Sequence, residues 1–265
     1  MTALAARPDA QGSATRRPPV LPPGFPRLVA VELRKLVDTR AGLWLLVVIG
    51  LVTAATVALT LLTTDPARLT FATLALRTAL PQGLLLPVLG ILAATSEWSQ
   101  RTGLVTFTLE PRRLRVGAAK LVAATVVALL AVVVALAVGA VANLVGQHWL
   151  DGNGSWSLDA GQVGGAVLLQ VLGVAQGVAF GAAIGSSAAA IVAFLVLPTL
   201  WTVLCALVSW LAEPARWLDL GVTSAPLLEG SMAGDDWARL TTSVAVWVLL
   251  PLAVGAARLV RREVS

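Results

Sequence analysis

Residues 96–120 read SEWSQRTGLVTFTLEPRRLRVGAAK and separate two of the most apolar stretches of the chain. Seven of these 25 residues are charged: Glu97, Arg101, Glu110, Arg112, Arg113, Arg115 and Lys120. At the centre of a membrane span seven charges would cost on the order of 18–25 kcal/mol, so the segment belongs in water. The apolar runs on either side, about 74–95 and 118–146, are therefore two separate spans joined by a solvated connection.

The same pattern continues in both directions. Of 265 residues, 57% are hydrophobic and 12% charged, and the mean hydropathy is +0.85; a soluble domain carries roughly a quarter charged residues. Further apolar runs lie at about 41–63, 161–185, 188–211 and 240–260. At ~1.5 Å per residue each can cross ~30 Å of hydrocarbon. The expected fold is an all-α polytopic membrane protein with six transmembrane helices. The fourth and fifth runs meet at Ser186 and Ser187, and merging them would give one implausibly long helix, so a tight turn is predicted there.

Charge placement sets the expected orientation. With the N-terminus in the cytoplasm, fifteen of the 19 lysine and arginine residues fall inside, leaving Arg68, Arg77, Arg216 and Arg239 at the outer face. Eight of the 14 acidic residues fall outside. Both chain ends are then cytoplasmic, as the positive-inside rule requires. Residues 1–26 hold six prolines and no apolar block. They read as a disordered cytoplasmic tail rather than a signal peptide.

Residues 27–40, RLVAVELRKLVDTR, precede the first span. On a helical wheel Val29, Ala30, Leu33, Leu36 and Val37 share one arc, while Glu32, Arg34, Lys35 and Asp38 fill the other. Periodicity fits an amphipathic helix along the inner membrane surface and a plain extension of the first span equally well. Residues 212–239 are interrupted by Pro214, Gly221, Pro226 and Gly230 yet keep Trp217, Leu218, Leu227, Leu228 and Trp237. They read as short helices dipping into the outer interface.

Within the spans, Gly173, Gly177, Gly181 and Gly185 recur every fourth residue, with Gly161 and Gly165 on the same register. Such a row leaves a flat groove in which another helix backbone can approach closely; the partner, in this subunit or another, stays open. Pro81, Pro87, Pro198 and Pro251 remove backbone donors and favour kinks. Gln82, Gln170 and Gln176 are the main hydrogen-bonding side chains at depth, joining helices or lining a pathway.

Several function classes lose ground. The single cysteine, Cys205, lies in an apolar run, and the single histidine, His148, groups only with Asp151 and Asp159 in an outer loop. Neither a metal triad nor a nucleophile pair results. No GxxxxGK[ST] loop is present: the only lysines, Lys35 and Lys120, follow no such loop. The chain is not expected to be an ATP-hydrolysing enzyme, and no cofactor is expected in it. An autonomous ion-coupled transporter would place carboxylates or histidines at mid-membrane, and none is at mid-span. A non-transporting membrane scaffold stays open as an alternative.

Taken in order, ELRKL and DTR before six spans, Ser-Glu-Trp, Arg-Thr-Gly and Pro-Arg-Arg after the second, and a helical outer loop before the sixth form a pattern. Over residues 27–262 the chain resembles the permease subunits of type-2 ATP-binding-cassette (ABC) exporters, especially the short actinobacterial kind. The resemblance implies that residues 96–118 hold a coupling helix resting in a groove of a separate ATPase, which would carry the ATP and Mg. The candidate coupling residues are Glu97, Arg101, Gly103, Glu110, Pro111, Arg112 and Arg113. It further implies a dimer with a second copy or sister permease, a bacterial plasma-membrane location, export, and a translocation path at the central interface. Nucleic acid is not among the expected partners.

Overall fold

The computed structural model describes residues 23–100, 106 and 110–261. The predicted tail up to residue 22, Arg101, Gly103 and Arg262 lie outside the described residues. Among those described, all regular structure is helical. Six helices are long and apolar enough to cross a membrane, the architecture of a multi-pass membrane protein.

Helix α1 (Phe25–Asp38) carries Pro26 in its first turn, where its fixed φ is suited. It ends where Thr39 turns extended, and α2 (Arg40–Thr63) begins at once, with Thr39 Oγ1 accepting from Gly42 N at 3.2 Å. A Cβ on Gly42 would sit 2.0 Å from the Leu36 carbonyl oxygen, so glycine makes this turn possible. The segment before the first span is thus a separate helix, not an extension. Its inward face also differs from the predicted arc. Glu32 and Leu36 are buried, with Val29 and Leu33 packed against the core, while Ala30 and Val37 are exposed. The wheel divided residues by polarity; the Glu32 carboxylate turns inward because lysines await it there.

The second span is broken. Helix α3 (Phe71–Leu76) gives way to α4 (Ala79–Ser99). Pro81 has no N–H for the Arg77 carbonyl four residues back, and at the break itself the Thr78 hydroxyl donates to Ala75 O at 2.7 Å. Helix α5 (Arg113–Trp149) is 37 residues long, about 55 Å at ~1.5 Å per residue, and it absorbs residues 113–117 of the expected connection. Helix α6 (Ala160–Ile184) is capped by Asp159, which accepts from Gln162 N, and stopped by Gly185 at φ 75°. Gly185 therefore terminates the helix. After Ser186, α7 (Ser187–Leu207) returns, and the fourth and fifth spans are separated by this two-residue turn.

On the far side, α8 (Ala212–Leu218) and α9 (Leu220–Glu229) form a helical hairpin before α10 (Asp236–Arg261). The hairpin's tip, Asp219, is buried: its carboxylate accepts from Gly221 N, Val222 N and the Thr202 hydroxyl of α7, the last at 2.7 Å. Trp247 Nε1 of α10 donates to Leu218 O at 2.7 Å, and the Thr223 and Ser243 hydroxyls meet at 2.6 Å. Residues 245–249 of α10 form a π-helical turn just ahead of Pro251, a common way of absorbing a proline. Asp219→Ala is expected to cost about 0.5–2 kcal/mol as a lost cap, seen as a lower thermal midpoint in detergent, with Asp219→Asn closer to wild type.

Helix α6 is the hub, touching α4, α5, α7, α9 and α10. Small residues bring α4 and α6 together. A Cβ on Gly177 would lie 2.0 Å from Pro87 O, one on Gly90 2.7 Å from Val174 O, and one on Gly181 3.0 Å from Ile91 O. The glycine row on α6 thus receives the proline-bearing helix of the same chain. Farther along, a Cβ on Gly165 would lie 1.8 Å from Leu227 O of α9. Gln82 Nε2 ties α4 to Thr53 Oγ1 of α2 and Ala131 O of α5, at 3.0 and 3.3 Å. The other deep amides stand differently: Gln170 Nε2 donates to Ala79 O at 3.2 Å, whereas Gln176 Nε2 has no partner.

Candidate functional site

Where α1, the end of α4 and the start of α5 converge, four charged side chains form a closed cluster. Lys120 Nζ lies 2.7 Å from Glu32 Oε2 and 2.7 Å from Glu97 Oε2. It also donates to Ala93 O at 2.8 Å and Ser96 Oγ at 3.0 Å. Lys35 Nζ closes the ring at 2.7 Å from Glu32 Oε1 and 3.2 Å from Glu97 Oε1. Glu97 is 2% exposed, Lys120 5% and Glu32 6%. The two lysines are the only ones in the chain.

Local structure places each member. Glu32 and Lys35 lie one turn apart on α1, so both reach the same side. Apolar residues around them hold the helix: Leu36 packs with Leu89 and Ala93 of α4 and Ala123 and Val127 of α5. Two carboxylates and two ammonium groups cancel, and every buried charge has an opposite partner, the condition under which burial of ions is tolerated. Burial alone would lower the Lys35 ammonium, but the hydrogen bonds and charges of Glu32 and Glu97 outweigh it and hold it above the ordinary lysine value. Its contribution to stability is therefore complete below the unfolded lysine value of ~10.4 and fades only as pH rises through the higher folded value.

A second set of contacts lies beside the cluster. Glu110 is buried and pairs with Arg115 at 2.7 Å, while its other oxygen accepts from Arg112 N at 3.3 Å. Arg113 Nη1 donates to Leu259 O near the end of α10, at 3.1 Å. Arg258 donates to the Ala183 and Ile184 carbonyls that end α6, where a cation complements the helix dipole. Pro111, Arg112 and Leu114 are exposed and, with Arg113 and Val260, line an open concavity of about 400 Å³.

The candidate coupling residues therefore divide. Glu97 and Glu110 turn inward onto the chain's own cations, Arg113 braces α10, and Pro111 and Arg112 face outward; Arg101 and Gly103 are outside the described residues. The i,i+3 spacing of Glu32 and Lys35 is that of a helical ion pair, and the structure forms it; that Glu97 and Lys120 join this pair is not visible in the sequence. A lysine just inside an apolar run and a glutamate on an amphipathic helix were the available signals, and only their shared scarcity linked them. At the opposite end, His148 is exposed near Leu144 O and Asp159 caps α6. Among the described residues no group of three or more His, Cys, Asp and Glu side chains could hold a metal ion.

No protein-family model matches the chain. A comparison with curated proteins gives no match either. The functional reading therefore rests on the residues themselves.

Proposed function

We propose that this chain is the membrane-spanning permease subunit of a type-2 ABC exporter, driven by a separate ATPase that docks on residues 96–118. The observation that carries the reading is the Glu97–Lys120 ion pair. These two residues bracket the connecting segment, and both are locked to α1 through Glu32 and Lys35. A push on the segment would reach α1, α4 and α5 as one body, and through Arg113 also α10. A merely solvated connection has no need of such footing.

In this reading α1 lies along the inner leaflet of the bacterial plasma membrane and both chain ends are cytoplasmic. The outward-facing Pro111, Arg112 and Leu114, apolar and cationic side by side, supply the docking surface. A second copy or a sister permease completes the membrane portion, and ATP and Mg belong to the partner. Asp219, a buried carboxylate that an ion-coupled mechanism could recruit, is already engaged as a helix cap.

The test begins with co-purification of the tagged chain from its own membranes and identification of a companion carrying a GxxxxGK[ST] loop. Arg112→Glu is then expected to abolish the companion's retention and the stimulation of its ATPase, with membrane insertion intact. Undiminished stimulation would refute docking there.

A further inference from the structure

We infer that α1 carries a cationic edge that binds the phosphate groups of anionic phospholipids in the inner leaflet. The bundle leaves this edge free. Val29, Glu32, Leu33 and Leu36 face the other helices, whereas Arg27 and Arg34 are exposed on the opposite side of α1, about two turns apart. Arg40 is exposed at the start of α2. The chain supplies no counter-charge for these three arginines: none of them takes part in an ion pair among the described residues. The buried carboxylates at this end are engaged elsewhere, Glu32 and Glu97 with the two lysines and Glu110 with Arg115. Asp38 is the exception. It is exposed one turn beyond Arg34, at helical pairing distance in sequence, yet forms no ion pair. It lowers the net charge of the edge without occupying either guanidinium.

The connection to α2 sets the depth of the edge. Only Thr39, in extended conformation, separates α1 from Arg40, where the first span begins. The end of α1 therefore lies at the level where α2 enters the bilayer. Leu43 and Trp44 are exposed on that first turn, Trp44 by 67%, and tryptophan favours the headgroup boundary. On α1 itself Val31 and Val37 are exposed on either side of the arginine row, by 45% and 49%. Unpaired arginines among exposed valines suit a surface that is anionic at one level and oily at the next. The valines meet acyl chains, and each guanidinium reaches a phosphate, which it can hold by two parallel hydrogen bonds. An acidic protein surface would satisfy the arginines but leaves the apolar strip that runs from Val37 onto the span unexplained. The inference rests on the placement of α1 along the inner leaflet and not on the assignment of an ATPase partner.

The experiment uses the full chain with Cys205→Ser and Val37→Cys, labelled with bimane at residue 37 and placed in phosphatidylcholine nanodiscs. The quencher is a trace of phosphatidylglycerol or of phosphatidylcholine, each with a nitroxide high on its acyl chain. At low salt the anionic lipid is expected to quench roughly 5-fold more effectively, the scale of one basic residue at an anionic surface. The ratio should fall toward one at ~0.5 M salt. Arg27→Gln combined with Arg34→Gln is expected to bring it near one at low salt, and Asp38→Asn to raise it. All three positions are exposed, so these changes should leave the gel-filtration profile unaltered. Quenching by neither lipid would overturn the proposal together with the leaflet placement of α1. Equal quenching by both, or a preference that survives loss of both arginines, would overturn the proposal and leave that placement standing.

Discussion

Lys120→Met is expected to lower the stability of the chain by about 3–5 kcal/mol, the usual consequence of removing one partner from a buried ion pair. The ammonium holds two carboxylates and two further oxygens at once. Without it Glu32 and Glu97 are left buried with one lysine between them, and one negative charge has no compensation. Lys35→Met should cost less, because Lys35 touches only the two carboxylates and is partly exposed. The decisive comparison is the double variant Glu97→Gln with Lys120→Met. It restores neutrality and keeps the Glu32–Lys35 pair, so most of the loss should be recovered. Thermal midpoints in detergent supply the measurement, and additive losses in the double variant would mean the four groups do not act as one unit.

Gly177→Leu is expected to prevent accumulation of a monodisperse chain. Even a single carbon at this position would stand 2.0 Å from Pro87 O and 2.7 Å from its carbonyl carbon. Both are rigid backbone, so α4 and α6 would have to separate along their whole contact. Overpacking ordinarily costs about 1–3 kcal/mol, and a backbone obstacle lies at or beyond the upper end; Gly177→Ala should already be destabilised, and Leu more so. Gly164→Ala on the same helix is the control. A Cβ there meets nothing within 4 Å, so it should be neutral or stabilising by a fraction of a kcal/mol. Fluorescence-detected size-exclusion profiles separate these outcomes, and a normal profile for Gly177→Leu would refute the close approach.

Most of the architecture was legible because span length and apolarity are local properties. The six runs, the turn near Ser186 and the helices of the outer loop all follow from residues read a few at a time. What escaped depends on contacts between distant residues. Helix α5 starts at Arg113, not near Ala118, because charged residues can continue a helix beyond the apolar limit by which a span is drawn. Glu32 was placed on the outward arc of α1 because a wheel has no knowledge of Lys120, 88 residues away. The glycine row and Pro87 were each visible, but nothing in one sequence says that one receives the other. Gly185, on the same four-residue register, also ends the helix and reverses the chain. Of the candidate coupling set, residue type alone could not separate glutamates engaged within the chain from Arg112 at the surface.

The four-charge cluster also makes the chain an unusual target for acylating reagents. Its two side-chain amines are both occupied, Lys120 hidden and Lys35 held protonated by its neighbours, and only an unprotonated amine attacks an activated ester. Modification of Lys120 should therefore wait on separation of α1 from the helices beneath it. The pace of that labelling becomes a stopwatch for how often the bundle lifts its first helix.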